Sequence, residues 1–122
     1  TKTDLINAAF NSITYQTKDI VDCLSRSSIK IESLNVDGGM IANKTFVQQL
    51  ANLLNIDISV PDNKESTARG VAILAGVASN LFDLNLITKQ KRDLINPDAD
   101  AHAFMSKDYE RWKELILKLL SP

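Results

Sequence analysis

Two short apolar stretches with β-branched residues, Ile31–Asp37 and Ile56–Val60, bracket a segment whose apolar residues Phe46, Val47, Leu50, Leu53 and Leu54 recur at helical spacing. Strand, helix and strand within about 30 residues read as a βαβ unit. Its two strands are expected to run parallel, with a right-handed crossover. Gly38-Gly39 stops the first strand, and the helix is expected from Ile41 or Ala42 to Leu54, with Asn55 as its C-terminal stop. Pro61 ends the second strand. The fold class that follows is α/β, parallel strands with flanking helices.

Helical patterns lie on both sides of this unit. Ile6, Phe10, Ile13, Thr17, Ile20, Val21 and Leu24 predict an amphipathic helix over about Thr3–Ser25, with Thr3 as its cap and Asp4 favourable to the helix dipole. A third helix is expected from Ser66 or Thr67 to Ala78, rich in small residues, with Glu65-Ser66-Thr67 capping it. Gly70 and Gly76 inside it each cost about 1 kcal/mol relative to Ala, so they imply close packing or close approach of a ligand. Residues Asn80 to Asp100 read as irregular or weakly helical, and a last helix is expected over Ser106–Leu120, with Trp112, Leu115, Ile116, Leu119 and Leu120 on one side.

Charge narrows the function classes. The net charge is −1, from 14 Lys+Arg and 15 Asp+Glu, with the signs interspersed. That disfavours nucleic acid or an anionic membrane surface as partner, since both need a basic stripe or face. The lone Cys23 cannot form an intrachain disulfide and suits a reducing, cytoplasmic setting. Asn96, Asp98, Asp100 and His102 alternate like a calcium loop, but Ala101 stands where Gly is needed and Lys107 where Glu is needed, so a solvated loop is expected. With His102 the only histidine, metal sites and nucleophile triads have little to draw on.

The chemistry is expected at Val36-Asp37-Gly38-Gly39-Met40-Ile41-Ala42-Asn43. Backbone N–H groups freed at a helix start, next to two glycines, suit an anion or polar ligand at the carboxyl end of a parallel strand. Asn43, read as one turn into the helix, carries an amide that can donate and accept, which suits a purine edge or a ribose. Asp37 has two readings: a base or metal ligand, or a residue that orients the glycine turn through backbone N–H groups.

Several separated stretches resemble one family. Tyr15-Gln16-Thr17-Lys18-Asp19, Ile31 to Met40, Glu65-Ser66-Thr67-Ala68-Arg69-Gly70 and Tyr109-Glu110-Arg111-Trp112-Lys113 are similar, in order, to C-terminal signatures of the FGGY carbohydrate kinases. Asp-Gly-Gly in the loop is closer to the glycerol kinases than to the pentulose kinases of that family. The resemblance implies the second half of an actin-like, ribonuclease-H-like ATPase domain. It implies ATP with Mg²⁺ in a cleft, Gly39 and Asn43 on the nucleotide with Gly38 supporting the turn, glycerol as acceptor, and a homo-oligomer, dimer or tetramer. It also implies that residues 1–122 are a C-terminal piece, inactive alone, whose catalytic base, upstream strands and N-terminal domain lie outside it. Lys44, Arg69 and Ser28 depart from the usual family residues. A pentulose or other polyol acceptor, or a non-catalytic α/β interaction module, are the alternative readings. In the implied topology the strand near Leu34–Asp37 has an open outer edge.

Overall fold

The computed structural model describes residues 1–62, 65–87 and 91–120. Helix α1 spans Lys2–Arg26, and its cap is Thr1 rather than Thr3: the Thr1 hydroxyl accepts from the Asp4 N–H, and the Asp4 carboxylate reaches back to the Thr1 amine at 2.7 Å. Ser28 follows at φ 65, in the left-handed region that favours glycine.

The βαβ unit forms as expected. Strand β1 (Ser33–Asn35) pairs in parallel with β2 (Asp57–Pro61) through helix α2 (Lys44–Leu54). Asn55 ends α2 in the left-handed conformation at φ 54, with its N–H on the Ala51 carbonyl. Helix α3 spans Ser66–Ala78. Glu65 stands at its N-cap position without a side-chain cap bond, so the capping expected of Glu65-Ser66-Thr67 does not form there.

The described part of the segment from Asn80 to Asp100 holds two regular elements, and residues 88–90 lie outside the described residues. Leu84–Leu86 make a 3-10 turn, and Arg92–Ile95 form strand β3, antiparallel to β2, giving the sheet order β1-β2-β3. Its Arg-Asp-Leu-Ile sequence lacks clean alternation because this edge strand is mostly exposed. Helix α4 covers Ala99–Leu120, a full two turns more than its apolar pattern marks. Asp98 starts it, its carboxylate accepting from the Ala101 N–H at 2.7 Å.

Helix α2 organises the rest. It packs against β2 and β3 and, on its other sides, against α1 and α4. Val47, Leu50, Ala51 and Leu54 join Ile58 in the main core, with Phe10 of α1 against Phe46 at 5.6 Å between ring centroids. Leu53 joins Tyr15 and Tyr109 in a second cluster with Met105 and Trp112. At the end of α2, the buried Asn52 accepts from Gln48 Nε2 and the Asp98 N–H, each at 2.9 Å. Its carbonyl lies 2.8 Å from His102 Nδ1. A carbonyl only accepts, so Nδ1 carries the proton there.

The first and last stretches that resemble the family meet in this packing. Tyr109 Oη donates to Asp19 Oδ1 at 2.5 Å and to Asp22 Oδ2 at 3.3 Å, while Lys18 pairs with Asp22. Trp112 stacks near Tyr109 and Tyr15, and Lys113 Nζ lies 5.1 Å from the Tyr109 ring centroid. Burial, then the Asp19 carboxylate, raises the Tyr109 pKa well above its ordinary value of 10.0.

Other apolar surface is uncovered within this chain. On α3, Val71 and Leu74 are 63% and 68% exposed, and Leu119 on α4 is 80% exposed. Gly76 is filled in by Phe82, whose ring would lie 2.4 Å from an added Cβ, while Gly70 faces open space. Packing therefore explains one glycine of α3 and not the other. The outer edge of β1 has no strand partner among the described residues.

Two outcomes follow from this packing. Tyr109→Phe in the full-length protein should lower stability by about 1–2 kcal/mol, read as a shifted urea midpoint at constant m. The neutral phenol is favoured by folding, so its contribution is complete below pH 10.0 and is lost as pH rises further. That alkaline loss should be smaller in the Phe variant, the remainder coming from Tyr15, whose pKa burial also raises. Second, the isolated 122 residues should self-associate. A monodisperse monomer in light scattering that binds no hydrophobic dye would contradict this.

Candidate functional site

The connection from β1 to α2 carries the three residues singled out by sequence. Val36 extends the parallel pairing by one bond, its N–H on the Ser59 carbonyl at 3.1 Å. Asp37 Oδ1 then accepts from the Gly38 N–H at 2.7 Å, the orienting role of its two readings. Among the described residues no cluster of three or more His, Cys, Asp or Glu could hold a metal, so Asp37 has no ligand companions there.

Gly38 adopts φ 98, ψ 177, a conformation essentially closed to side-chain-bearing residues. Gly39 opens a 3-10 turn, Gly39–Ala42, rather than the first turn of a long helix. The turn is anchored by Ile41, which is buried, while Gly39 is exposed and an added Cβ there would meet nothing within 4 Å. Within this chain, a group can approach the Gly39 main chain unhindered.

Asn43 is displaced from the expected position. It is the N-cap of α2, not a residue one turn inside it: Oδ1 accepts from the Phe46 N–H at 3.2 Å, and its carbonyl accepts from Val47. The Asn43 N–H in turn bonds Met40 across the 3-10 turn at 3.0 Å, so Gly39 and Asn43 share the same end of α2. Half-buried Asn43 commits its carboxamide oxygen to the helix, while its Nδ2 donates to no described residue. The cap thus uses one lone pair of the carboxamide oxygen, and the amide N–H donors are not taken up by any described residue.

Beside this connection lies a groove of about 320 Å³ at the carboxyl end of β2. Val47, Val60 and Ile95 make its apolar part, and Lys44, Asp62 and Asp93 its charged part. Ile41, Ala42 and Lys44 belong to its wall; Gly38, Gly39 and Asn43 do not. Lys44 thus adds an exposed cation to the groove lining.

No sequence pattern singles out Arg92. From the first position of β3 its Nε donates to Ser59 Oγ at 2.8 Å, and one Nη donates to the Ser59 and Val36 carbonyls at 3.1 and 3.3 Å. A charged residue in a stretch without alternation carries no local signal of such a role. The calcium-like residues, conversely, are structural: Asp98 caps α4, His102 bonds Asn52, and Asn96 Nδ2 donates to Asp57.

Residues 1–79 match the family model described as the FGGY family of carbohydrate kinases, C-terminal domain. A glycerol kinase of Pseudothermotoga lettingae is 36% identical over 124 residues, covering 98% of this chain and 25% of that protein. One of Desulforamulus reducens is 34% identical over 119 residues, covering 95% and 24%. The chain thus spans about a quarter of the length of the curated relatives it matches. Among solved structures, Plasmodium falciparum glycerol kinase with ADP aligns at TM-score 0.70 and 27% identity, over 96% of this chain and 24% of its own. Ligand-bound xylulose kinase of Lactobacillus acidophilus has the same fold at TM-score 0.78 and 22% identity, over 99% and 25%.

Removing the cap tests the local geometry. Asn43→Ala should cost about 1 kcal/mol of stability, and Asn43→Asp, which keeps a capping oxygen, should cost a few tenths at most. Equal thermal shifts for the two variants would show that Asn43 does not cap α2.

Proposed function

The chain belongs to the FGGY family of carbohydrate kinases, and from that premise we propose that it is the C-terminal, nucleotide-facing part of a glycerol kinase. In this reading ATP is the phosphoryl donor and glycerol the acceptor, giving glycerol 3-phosphate. The observation that carries it is the exposed glycine pair and the uncommitted Asn43 donor edge at one end of α2, outside the carboxyl ends of a parallel strand pair. The glycerol kinase aligned above has ADP in its structure, and the curated relatives named above are glycerol kinases.

The roles follow from the chemistry of each group. Gly39 offers its main chain to the nucleotide, and Gly38 supplies the φ 98 that turns the chain there. Asn43 Nδ2 can donate only, so it is matched to an acceptor such as a ring nitrogen of adenine. Mg²⁺ enters on the nucleotide phosphates, since the described residues offer no acidic cluster for it. Phosphoryl transfer rests on positioning and charge stabilisation, and the acidic base belongs to the part of the enzyme outside these residues. These 122 residues alone are therefore inactive in this reading. The setting we assign is the cytoplasm, in a homo-oligomer, dimer or tetramer; the lone Cys23 agrees with the compartment, and no helix among the described residues is long and apolar enough to cross a membrane.

Asn43→Asp in the full-length enzyme separates this role from capping. It keeps the cap oxygen and loses both N–H donors, so ADP·Mg²⁺ affinity measured by calorimetry should fall about threefold to tenfold with glycerol affinity intact. Unchanged ADP affinity would remove Asn43 from the site. A panel of polyols and pentuloses on the same protein checks the acceptor: faster turnover of a pentulose than of glycerol would overturn that assignment.

A further inference from the structure

We infer that Arg92 is a positioning residue for the Asp37–Asn43 connection, and that it acts by clipping the end of β1 to β2. The inference rests on the nucleotide reading of that connection given above. Little else holds that connection in place. Strand β1 has three residues, lies at the sheet edge, and has no strand partner on its outer side among the described residues. Past Asn35, the main chain has one backbone bond to the sheet, Val36 N–H to Ser59 O. The next bonds, Asp37 to Gly38 and Gly38 to Ile41, are internal to the turn. Ile41 anchors the far end of the turn in the core.

Arg92 closes the near end. Its guanidinium reaches Ser59 Oγ, Ser59 O and Val36 O together, so one planar group spans the terminus of β3, the middle of β2 and the exit of β1. The Val36 carbonyl is the last main-chain acceptor before Asp37. Ser59 O takes both the Val36 N–H and an Arg92 N–H, which couples the final ladder bond to the clip. Lys has a single ammonium point and cannot hold three acceptors arrayed along a strand edge, so the geometry is specific to Arg. Fixing Val36 sets where Gly38 begins its turn, and hence where the Gly39 main chain stands relative to the Asn43 amide. Arg92 touches none of these groups directly, which makes it a positioning residue rather than a binding one.

The test uses the full-length enzyme with Arg92→Gln, Arg92→Lys and Ser59→Ala, and Asn43→Asp as reference. ADP·Mg²⁺ affinity and the KM values for ATP and for the polyol are measured. Both Arg92 variants should weaken ADP binding and raise the ATP KM about fivefold, with the polyol KM unchanged. Ser59→Ala, which removes only the Nε acceptor, should have an effect of about twofold in the same direction. Wild-type affinity in Arg92→Lys would mean that charge alone suffices and would overturn the inference. Parallel rises in both KM values would reduce Arg92 to general stability, with the same consequence. If Arg92→Gln matches wild type while Asn43→Asp is weakened, the inference fails and the nucleotide reading stands. If both match wild type, the nucleotide reading itself falls, and this inference with it. Should Arg92→Gln fail to fold, Arg92→Lys and Ser59→Ala decide: wild-type ADP affinity in both overturns the inference.

Discussion

Burial of α2 on several sides is the constraint from which the other features follow. A helix that presents Val47, Ala51 and Leu54 in one row and Phe46, Leu50 and Leu53 in the next cannot satisfy both rows with a single partner. The sheet covers part of that surface, and α1 and α4 cover the rest. With the barrel of the helix so enclosed, its N-terminus has one place to be, at the carboxyl ends of β1 and β2. The glycine turn, the Asn43 cap and the groove beside them are located by that placement. Burial of one Leu contributes about 1.5–3 kcal/mol, so several such residues outweigh the conformational entropy lost in ordering the glycine turn that feeds the helix.

The two helices that brace α2 do so through polar chemistry as well as packing. The Tyr109 hydroxyl holds α4 to α1 through Asp19 and Asp22, and Asn52 holds the start of α4 to the end of α2. Both sites place a directional bond where a slip of one helical turn would leave a buried polar group unpaired, and the cost of that is what fixes register. The family signatures at the two ends of the chain thus have a structural explanation that does not involve the nucleotide. The glycine connection is where the family's function is proposed to lie, and it is comparatively lightly tethered. That contrast suits a loop that must present main chain to a ligand from a rigid base.

Much of the fold was legible because periodicity and punctuation reinforce each other in this chain. The helical row from Phe46 to Leu54, the stop at Asn55 and the Pro61 terminator each mark the same unit, and the structure has its boundaries within a few residues. Strand β3 was not legible: Arg92–Ile95 is an exposed edge whose pairing is set by β2, not by its own pattern. The first two turns of α4 were hidden for a related reason. Pro97, Asp98 and Asp100 signal a loop locally, and the same Asp98 is a good cap once Asn52 is beside it. At the candidate site, the glycines were legible from their spacing and the capping role of Asn43 was not. An Asn ahead of a helix reads alike as cap or as first-turn residue until the 3-10 turn from Gly39 to Ala42 shows where the α-helix starts.

The amino-acid sequence by itself determined the parallel strand pair, its crossover helix and the glycine break between them, because these depend on residues close in the chain and on short-range sterics. Tertiary structure alone decided the antiparallel third strand, the Tyr109 and Asn52 contacts and the three-point grip of Arg92 on Ser59 and Val36. Those interactions join residues 31 to 90 positions apart. A hydrogen bond at such separation exists only after α2 has brought the elements together, and no local pattern in the chain encodes it.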